Sequence, residues 1–309
     1  MNQKRILIAD QLHPLFAEEA EKLGYKVDDF PHYTREQTLA AIAQYNGIAV
    51  RTKFRIDKEI IDAGSQLEFI ARAGAGLDNI DEAHAKARGI KLLNAPEGNR
   101  DAVAEHAIGM LLSLMNNLRR SDLEVRKGIW DREGNRGLEL NGRTVAIIGY
   151  GFMGQRFARK LKSLDVKVIA YDKYKTNFSD EYVTEVSMEQ VVKQADVLSL
   201  HIPLTRETRQ MIDDEYFFHF RKPIFFLNTA RGEIVNTQSV LTAIEQGKIL
   251  GAGLDVLEVE KFPALAEQQW YQKLVSNDKV ILSPHVGGWS VESYRKISEV
   301  LAAKLKDLM

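Results

Sequence analysis

An α/β protein with two parallel sheets is predicted by three observations. Short β-branched runs alternate with helical patterns along the chain, as parallel strands joined by crossover helices require. These runs form two series, separated by one long apolar helical stretch. The second series opens on a glycine-rich turn set between a strand and a helix.

In the first series, strands are expected at Arg5–Ala9, Gly47–Val50, Glu68–Ala71 and Ile90–Leu93. Thr34 and Gln37 have the spacing at which a hydroxyl and an amide cap a helix start reciprocally, and Asp57 opens a helix that Gly64 can close. The stretch Asp101–Lys127 reads as helix. Its middle, Ala107 to Met115, is apolar on more than one face, so it must be covered by core on several sides or by a second copy of the chain. The second series has strands at Thr144–Ile148, Lys167–Tyr171, Asp196–Leu200, Ile224–Leu227, Gly251–Leu254 and Val280–Leu282. Ser187/Gln190 and Thr205/Thr208 mark connections within it, and Pro203, Pro223 and Pro284 punctuate strand ends.

The 309 residues hold core enough for two domains. With 42 Lys and Arg against 43 Asp and Glu, the formal charge of −1 argues against a nucleic-acid partner. No run reaches the roughly 18 apolar residues of a membrane span, since the densest, Ala102–Leu118, contains Glu105, His106 and Asn116. Four apolar residues before Asp10 are too few for a secretion signal, so a soluble cytoplasmic protein is expected. Cysteine is absent, which removes disulfides, thiolate nucleophiles and thiolate-bound metals, and no metal site is expected.

Gly149, Gly151 and Gly154 form a G-x-G-x-x-G element between the strand Thr144–Ile148 and a helical pattern through Phe157, Ala158, Leu161 and Leu164. The strand Lys167–Tyr171 follows, and Asp172 ends it, about 18 residues beyond Gly154. This is the complete fingerprint of a Rossmann-type dinucleotide site. Gly149 permits the tight turn, Gly151 lets the backbone approach a pyrophosphate, and Gly154 allows close helix–strand packing. The helix start offers its N–H groups and positive dipole end to the phosphates. Asp172 can accept from a ribose 2′-OH and repels a 2′-phosphate, which favours NAD over NADP, although Lys173 beside it offsets some of that repulsion.

Three polar residues follow strands of the second series: Arg231, Glu260 and His285. In a parallel sheet the carboxyl ends of strands share one edge, beside the nucleotide crevice. Reduction of a 2-oxo acid needs a cation to hold the carboxylate and an acid to protonate the oxygen, roles that suit Arg231 and His285. A carboxylate such as Glu260 favours the charged imidazole and orients it. Gly287 and Gly288 leave backbone room for a nicotinamide. Each residue also has a plainer account, Arg231 in a surface ion pair, Glu260 as a solvated acid and His285 as a capped loop histidine. On position alone His201 is as good a candidate as His285, and residue reasoning leaves the two level.

Ordered motifs then carry a resemblance: Val50–Thr52, Arg72–Asp81, Asn94–Pro96, Gly98 and Asn99, Ala104–His106, the glycine fingerprint, His201–Leu204, Asn228–Gly232, Gly253–Val256 and Ser283–Gly288. The chain resembles the D-isomer-specific 2-hydroxyacid dehydrogenases almost end to end. The branch it most resembles is that of the D-3-phosphoglycerate dehydrogenases, in a short form without the regulatory domain of longer members. The resemblance implies Arg231 as substrate anchor, Glu260 as the partner of the histidine, and His285 as acid/base. It implies cofactor contacts from Phe152, Met153, Asp172, His201, Ile202, Pro203, Thr208, Thr229, Ala230, Asp255, Gly287 and Gly288, with Asp255 holding the nicotinamide carboxamide. Ala75 and Gly76 would cradle the substrate carboxylate. It also implies a smaller flavodoxin-like substrate (lid) domain of residues 1–98 plus 287–309, closing over the substrate, into which an NAD-binding Rossmann domain of residues 99–286 is inserted, with a dimerisation helix after Asp101.

For the substrate, the resemblance points to a phosphate held by Arg51 and Arg72, with Arg132 reaching in from a partner subunit, and 3-phosphoglycerate is the expected acid. A glyoxylate or hydroxypyruvate reductase is the alternative, and an NAD-sensing binding protein like the corepressors of this fold is the alternative of another class. Glu260 argues against formate oxidation. Three residues depart from the family pattern: Trp289 replaces a small residue, Lys261 a proline and Leu257 a phenylalanine. A large ring so near His285 is expected to reshape the substrate pocket.

Overall fold

The structure, a computed structural model, describes residues 3–308. The chain divides into two compact units. One runs to Arg100 and resumes at Gly288, and the other is Asp101–Gly287.

The first unit holds β1 (Arg5–Ile8), β2 (Lys26–Asp29), β3 (Gly47–Val50), β4 (Phe69–Arg72) and β5 (Lys91–Asn94). All are parallel, in the order β2-β1-β3-β4-β5, the flavodoxin-like arrangement. Cores lie on both faces: Phe16, Ile6, Ile8 and Phe69 in one, Leu7, Ile48, Ile60 and Ile70 in the other. Such double burial explains why the inner strands read as continuous apolar runs. The predicted caps form, with Thr34 and Gln37 bonded reciprocally and Asp57 accepting from Ile60 N. The helix Val291–Lys306, started by the Ser290/Ser293 capping box, returns to this unit and buries Ile297, Leu301 and Leu305 beside Ile6, Ile8 and Phe16.

The second unit holds β6 (Thr144–Ile148), β7 (Lys167–Tyr171), β8 (Thr184–Glu185), β9 (Val197–Leu200), β10 (Ile224–Asn228), β11 (Ile249–Leu254) and β12 (Val280–Leu282). Its sheet is parallel throughout, in the order β12-β11-β10-β9-β6-β7-β8. The strand order reverses direction at β6, so a crevice opens beyond the carboxyl ends of β6 and β9. Burial of each fully enclosed residue such as Phe226, Ile224 or Phe157 contributes about 1.5–3 kcal/mol.

The fold class is as expected, two parallel α/β sheets, but three elements differ from expectation. Two strands were not anticipated: β2 is Lys-Val-Asp-Asp at a sheet edge and β8 is two residues long, so neither carries an apolar signature. The helix expected at Asp101–Lys127 starts earlier, at Pro96, whose missing N–H costs nothing in a first turn. It also breaks: Pro96–Met115 and Leu118–Arg126 are separate helices, joined through Asn117 at φ +52°, a left-handed conformation that Asn tolerates. Ala107, Met110, Leu111, Leu114 and Met115 are covered by their own chain, in a core with Ile147 and Phe157. The apolar residues left exposed lie farther on, at Leu118, Leu123, Val125, Ile129 and Trp130. Among the described residues no helix is long and apolar enough to cross a membrane.

Candidate functional site

At the carboxyl end of β6 the three glycines have different surroundings. Gly149 sits at φ +94°, and a Cβ there would lie 2.5 Å from His201 O. A Cβ on Gly154 would lie 2.1 Å from Gly149 O, so the helix Phe152–Leu161 crosses the turn at a distance only glycine allows. Around Gly151 nothing approaches within 4 Å, and no side chain caps that helix start. The first-turn N–H groups at Phe152 and Met153 therefore open on the strand ends with the dipole's positive end behind them.

Asp172 is fixed by the backbone, with Oδ2 accepting from Tyr150 N at 2.8 Å and Oδ1 from Tyr174 N at 2.9 Å and Lys175 N at 3.1 Å. Lys173 turns aside to pair with Glu207, which neutralises the cation next to Asp172. Thr229 supplies a further sign of a bound polar group, since its Oγ1 is buried with no hydrogen-bond partner among the described residues. An open glycine cradle, a backbone-fixed carboxylate and an orphan hydroxyl along one strand edge fit a dinucleotide.

The loops after β10, β11 and β12 carry Arg231, Glu260 and His285, and these three strands are neighbours. Asn228, buried at the end of β10, accepts from Ala230 N at 3.1 Å and donates to Arg231 O at 3.0 Å, so it shapes the turn that presents Arg231. A Cβ on Gly232 would lie 1.9 Å from Leu257 O, and this contact brings the Arg231 loop against the segment leading to Glu260. His285 Nδ1 lies 2.9 Å from Glu260 Oε2, both side chains remaining partly open to solvent. With Nδ1 so engaged, Nε2 is the nitrogen left for a substrate.

His285 has φ +54°, which costs a non-glycine residue about 1–2 kcal/mol. Asp255 holds it there. Three successive N–H groups converge on that residue: His285 N donates to its carbonyl oxygen at 2.7 Å, Val286 N to Oδ1 at 2.9 Å and Gly287 N to Oδ2 at 2.8 Å. Burial pushes the Asp255 carboxyl up, but hydrogen bonds from His106, Ser283, Gly287 N and Val286 N outweigh it and hold the group below the usual carboxylate range.

His201 is separated from His285 by its environment. Its Nε2 lies 2.9 Å from Ser199 Oγ, its ring packs on Phe157, and burial lowers its basicity to about 4. A histidine held neutral by burial has no proton to donate near pH 7. Thr208 Oγ1 donates to Pro203 O at 2.8 Å and its N–H to Thr205 Oγ1 at 3.2 Å, so these residues build the loop that follows Ile202.

In the first unit Arg51 follows β3 and Arg72 ends β4, directly across from Val50. Asp10 Oδ2 accepts from the N–H groups of Arg51, Thr52 and Lys53 at 2.9, 2.9 and 3.0 Å, which fixes the loop bearing Arg51. The Arg51 guanidinium lies 3.2 Å from the centre of the Trp289 ring, and burial pulls its basicity below the ordinary value. Trp289 in turn meets Tyr294 edge-on. Arg72 Nη1 reaches back to Ala73 O at 3.5 Å, over Gly74, and Asn94 Nδ2 donates to Ala75 O at 2.6 Å, tethering the turn that holds Ala75 and Gly76. Arg132 is exposed on the segment after the second of the two helices. Gly288 accepts through its carbonyl oxygen from Ser293 Oγ at 3.0 Å. Asp10 and Ser283 shape these sites without having been singled out in sequence, because each acts on residues remote along the chain.

Comparison with known proteins gives concordant results. Residues 108–287 match the NAD-binding domain of the D-isomer specific 2-hydroxyacid dehydrogenases. The chain is 36% identical to a hydroxypyruvate reductase of Thermotoga maritima, over 89% of this chain and 88% of that protein. It is 32% identical to a D-3-phosphoglycerate dehydrogenase of Archaeoglobus fulgidus, over 98% of this chain and 57% of that protein. This chain thus spans little more than half the length of the phosphoglycerate dehydrogenases it matches. Among solved structures it is similar to a glyoxylate reductase from Paecilomyes thermophila, with a TM-score of 0.88 at 25% identity, covering 99% of this chain and 95% of that one. A D-lactate dehydrogenase from Aquifex aeolicus complexed with NAD and lactic acid gives 0.85 at 26% identity, again over 99% and 95%.

Proposed function

Since the chain belongs to the D-isomer specific 2-hydroxyacid dehydrogenases, a family of NAD-dependent oxidoreductases, we propose that its substrate pair is 3-phosphoglycerate and 3-phosphohydroxypyruvate. The observation that carries this reading is the placement of Arg51 and Arg72 at adjacent strand ends, a pair of cations suited to a phosphate dianion. Such a reaction serves serine biosynthesis.

Hydride to or from the 2-carbon is the chemistry the nicotinamide supplies when bound. The N–H groups of Gly151, Phe152 and Met153 would receive the pyrophosphate, Asp172 the adenosine ribose, and Ile202, Pro203, Thr229 and Ala230 the nicotinamide half. Asp255, whose Oδ2 accepts from Gly287 N, would hold the carboxamide. Arg231 binds the substrate carboxylate in a bidentate fork and polarises the 2-oxo group. In reduction His285 Nε2–H gives its proton to that oxygen, and in oxidation the neutral imidazole takes it back, while Glu260 keeps Nδ1 engaged and the ring oriented.

A second reading, reduction of hydroxypyruvate or glyoxylate, is favoured by one feature, the Trp289 ring covering a face of Arg51 and so narrowing the room for a phosphate. A homodimer is also part of the proposal, supported by the exposed apolar residues between Leu118 and Trp130.

NADH oxidation with 3-phosphohydroxypyruvate, hydroxypyruvate, glyoxylate and pyruvate distinguishes these readings by kcat/KM. The phosphorylated acid should be preferred roughly tenfold or more, about 1.4 kcal/mol, and Arg51→Ala should abolish that preference while sparing the small acids. Equal or better use of hydroxypyruvate supports the second reading, and NADH binding without turnover of any acid supports a sensor.

A further inference from the structure

We propose that His106 is a positioning residue for His285, acting through Ser283 and Asp255 to hold the turn of residues 283–287 in the conformation that presents the imidazole. The inference rests on the reading of His285 as the proton donor.

A left-handed residue at the tip of a loop keeps its conformation only if its neighbours over-determine it. Asp255 does so by collecting the amide of His285 on its carbonyl oxygen and those of Val286 and Gly287 on a carboxylate only 2% exposed. A buried carboxylate rotates unless its own oxygens are held. Ser283 Oγ donates to Oδ1 at 2.6 Å, and His106 Nε2 stands 2.8 Å from that hydroxyl oxygen and 3.4 Å from Oδ1. Because the hydroxyl hydrogen goes to the carboxylate, the contact between ring and hydroxyl requires the hydrogen to be on His106 Nε2. His106 therefore donates into the network, and its tautomer is set.

The ring also closes sterically on the turn. A Cβ on Gly287 would lie 3.3 Å from His106 Cδ2 and 2.8 Å from Asp255 Oδ2, so glycine lets the backbone settle against both. His106 lies on the long helix, Asp255 just beyond β11, and Ser283 just beyond β12. Three elements thus meet at one carboxylate, and none of their three side chains is needed to carry the substrate's proton. Without the His106 donor the Ser283 hydroxyl is free to turn, Oδ1 loses two partners, and the amides of Val286 and Gly287 loosen. His285 then relaxes towards ordinary φ and its Nδ1 leaves Glu260.

The test compares full-length wild type with His106→Leu, His106→Gln and Ser283→Ala, read by amide hydrogen exchange at Val286 and Gly287 and by steady-state kinetics. Leu should raise exchange at these amides tenfold or more and lower kcat by a similar factor. The limb of the kcat/KM pH profile assigned to His285 should move with it. Gln, which can present an N–H where Nε2 stood, should restore most of both, and adding Ser283→Ala to His106→Leu should cost little more than either change alone. Unchanged exchange in the Leu variant, or a kinetic loss that Gln fails to rescue, overturns the proposal. Should the wild type reduce no 2-oxo acid, the functional reading falls, and amide exchange alone upholds or overturns the restraint by His106.

Discussion

At the scale of single residues, environment decides what identical side chains do. His201 and His285 both follow strands of one sheet, and nothing in their local sequence ranks them. Burial keeps the first neutral against Phe157, whereas the second faces solvent beside a carboxylate. A consequence for stability follows. Between about pH 6.5 and 4 the unfolded chain binds a proton at residue 201 that the folded chain refuses, so stability falls as pH drops through that window and is fully regained above it. The loss approaches about 3 kcal/mol at the acid end. Denaturant unfolding of wild type and His201→Gln at several pH values checks this, the wild type showing the steeper acid slope. Parallel slopes would refute it. The depressed Asp255 carboxyl acts in a lower window, its stabilisation present above about pH 4 and lost below. Trp289 shows the limit of reading residues alone: it stood out in sequence as an unusual large ring, yet its partner Arg51 is far away along the chain and is found only in the fold.

At the scale of elements, legibility followed locality. Capping boxes, the glycine turn and the inner strands are written in residues a few positions apart, and all of them form as expected. The edge strands β2 and β8 and the helix break at Asn117 were missed because polar edges carry no apolar pattern and one left-handed Asn hides in a helical stretch. The His106–Ser283 contact spans 177 residues, beyond the reach of any spacing rule. Within the glycine turn, two substitutions should separate packing from binding. Gly151→Ala meets open space, so melting temperature should stay within a few degrees while NADH affinity falls tenfold or more. Gly154→Ala drives a methyl group into Gly149 O, so stability and affinity should fall together. Thermal melts and NADH fluorescence titration read both, and a stable Gly154→Ala protein with normal affinity would contradict the packing argument.

At the scale of the whole molecule, the two sheets are separate cores, and damage to one should be local. Leu301→Ala removes a fully buried side chain from the core of the first unit, at a cost of about 2–5 kcal/mol. Hydrogen exchange should quicken in β1 and β3 while β6 and β9 keep their protection. Uniform loss across both sheets would show a single cooperative body instead. The same helix has a consequence for biosynthesis. Ile297, Leu301 and Leu305 share a core with Ile6 and Ile8 of β1, a strand made nearly three hundred residues earlier. On the ribosome, the second unit can close on itself as soon as its own strands have emerged. The first sheet must wait, with that core covered only in part by Phe16 and Ala20, until this helix leaves the exit tunnel. Until then the nascent chain presents an apolar surface of the kind chaperones bind.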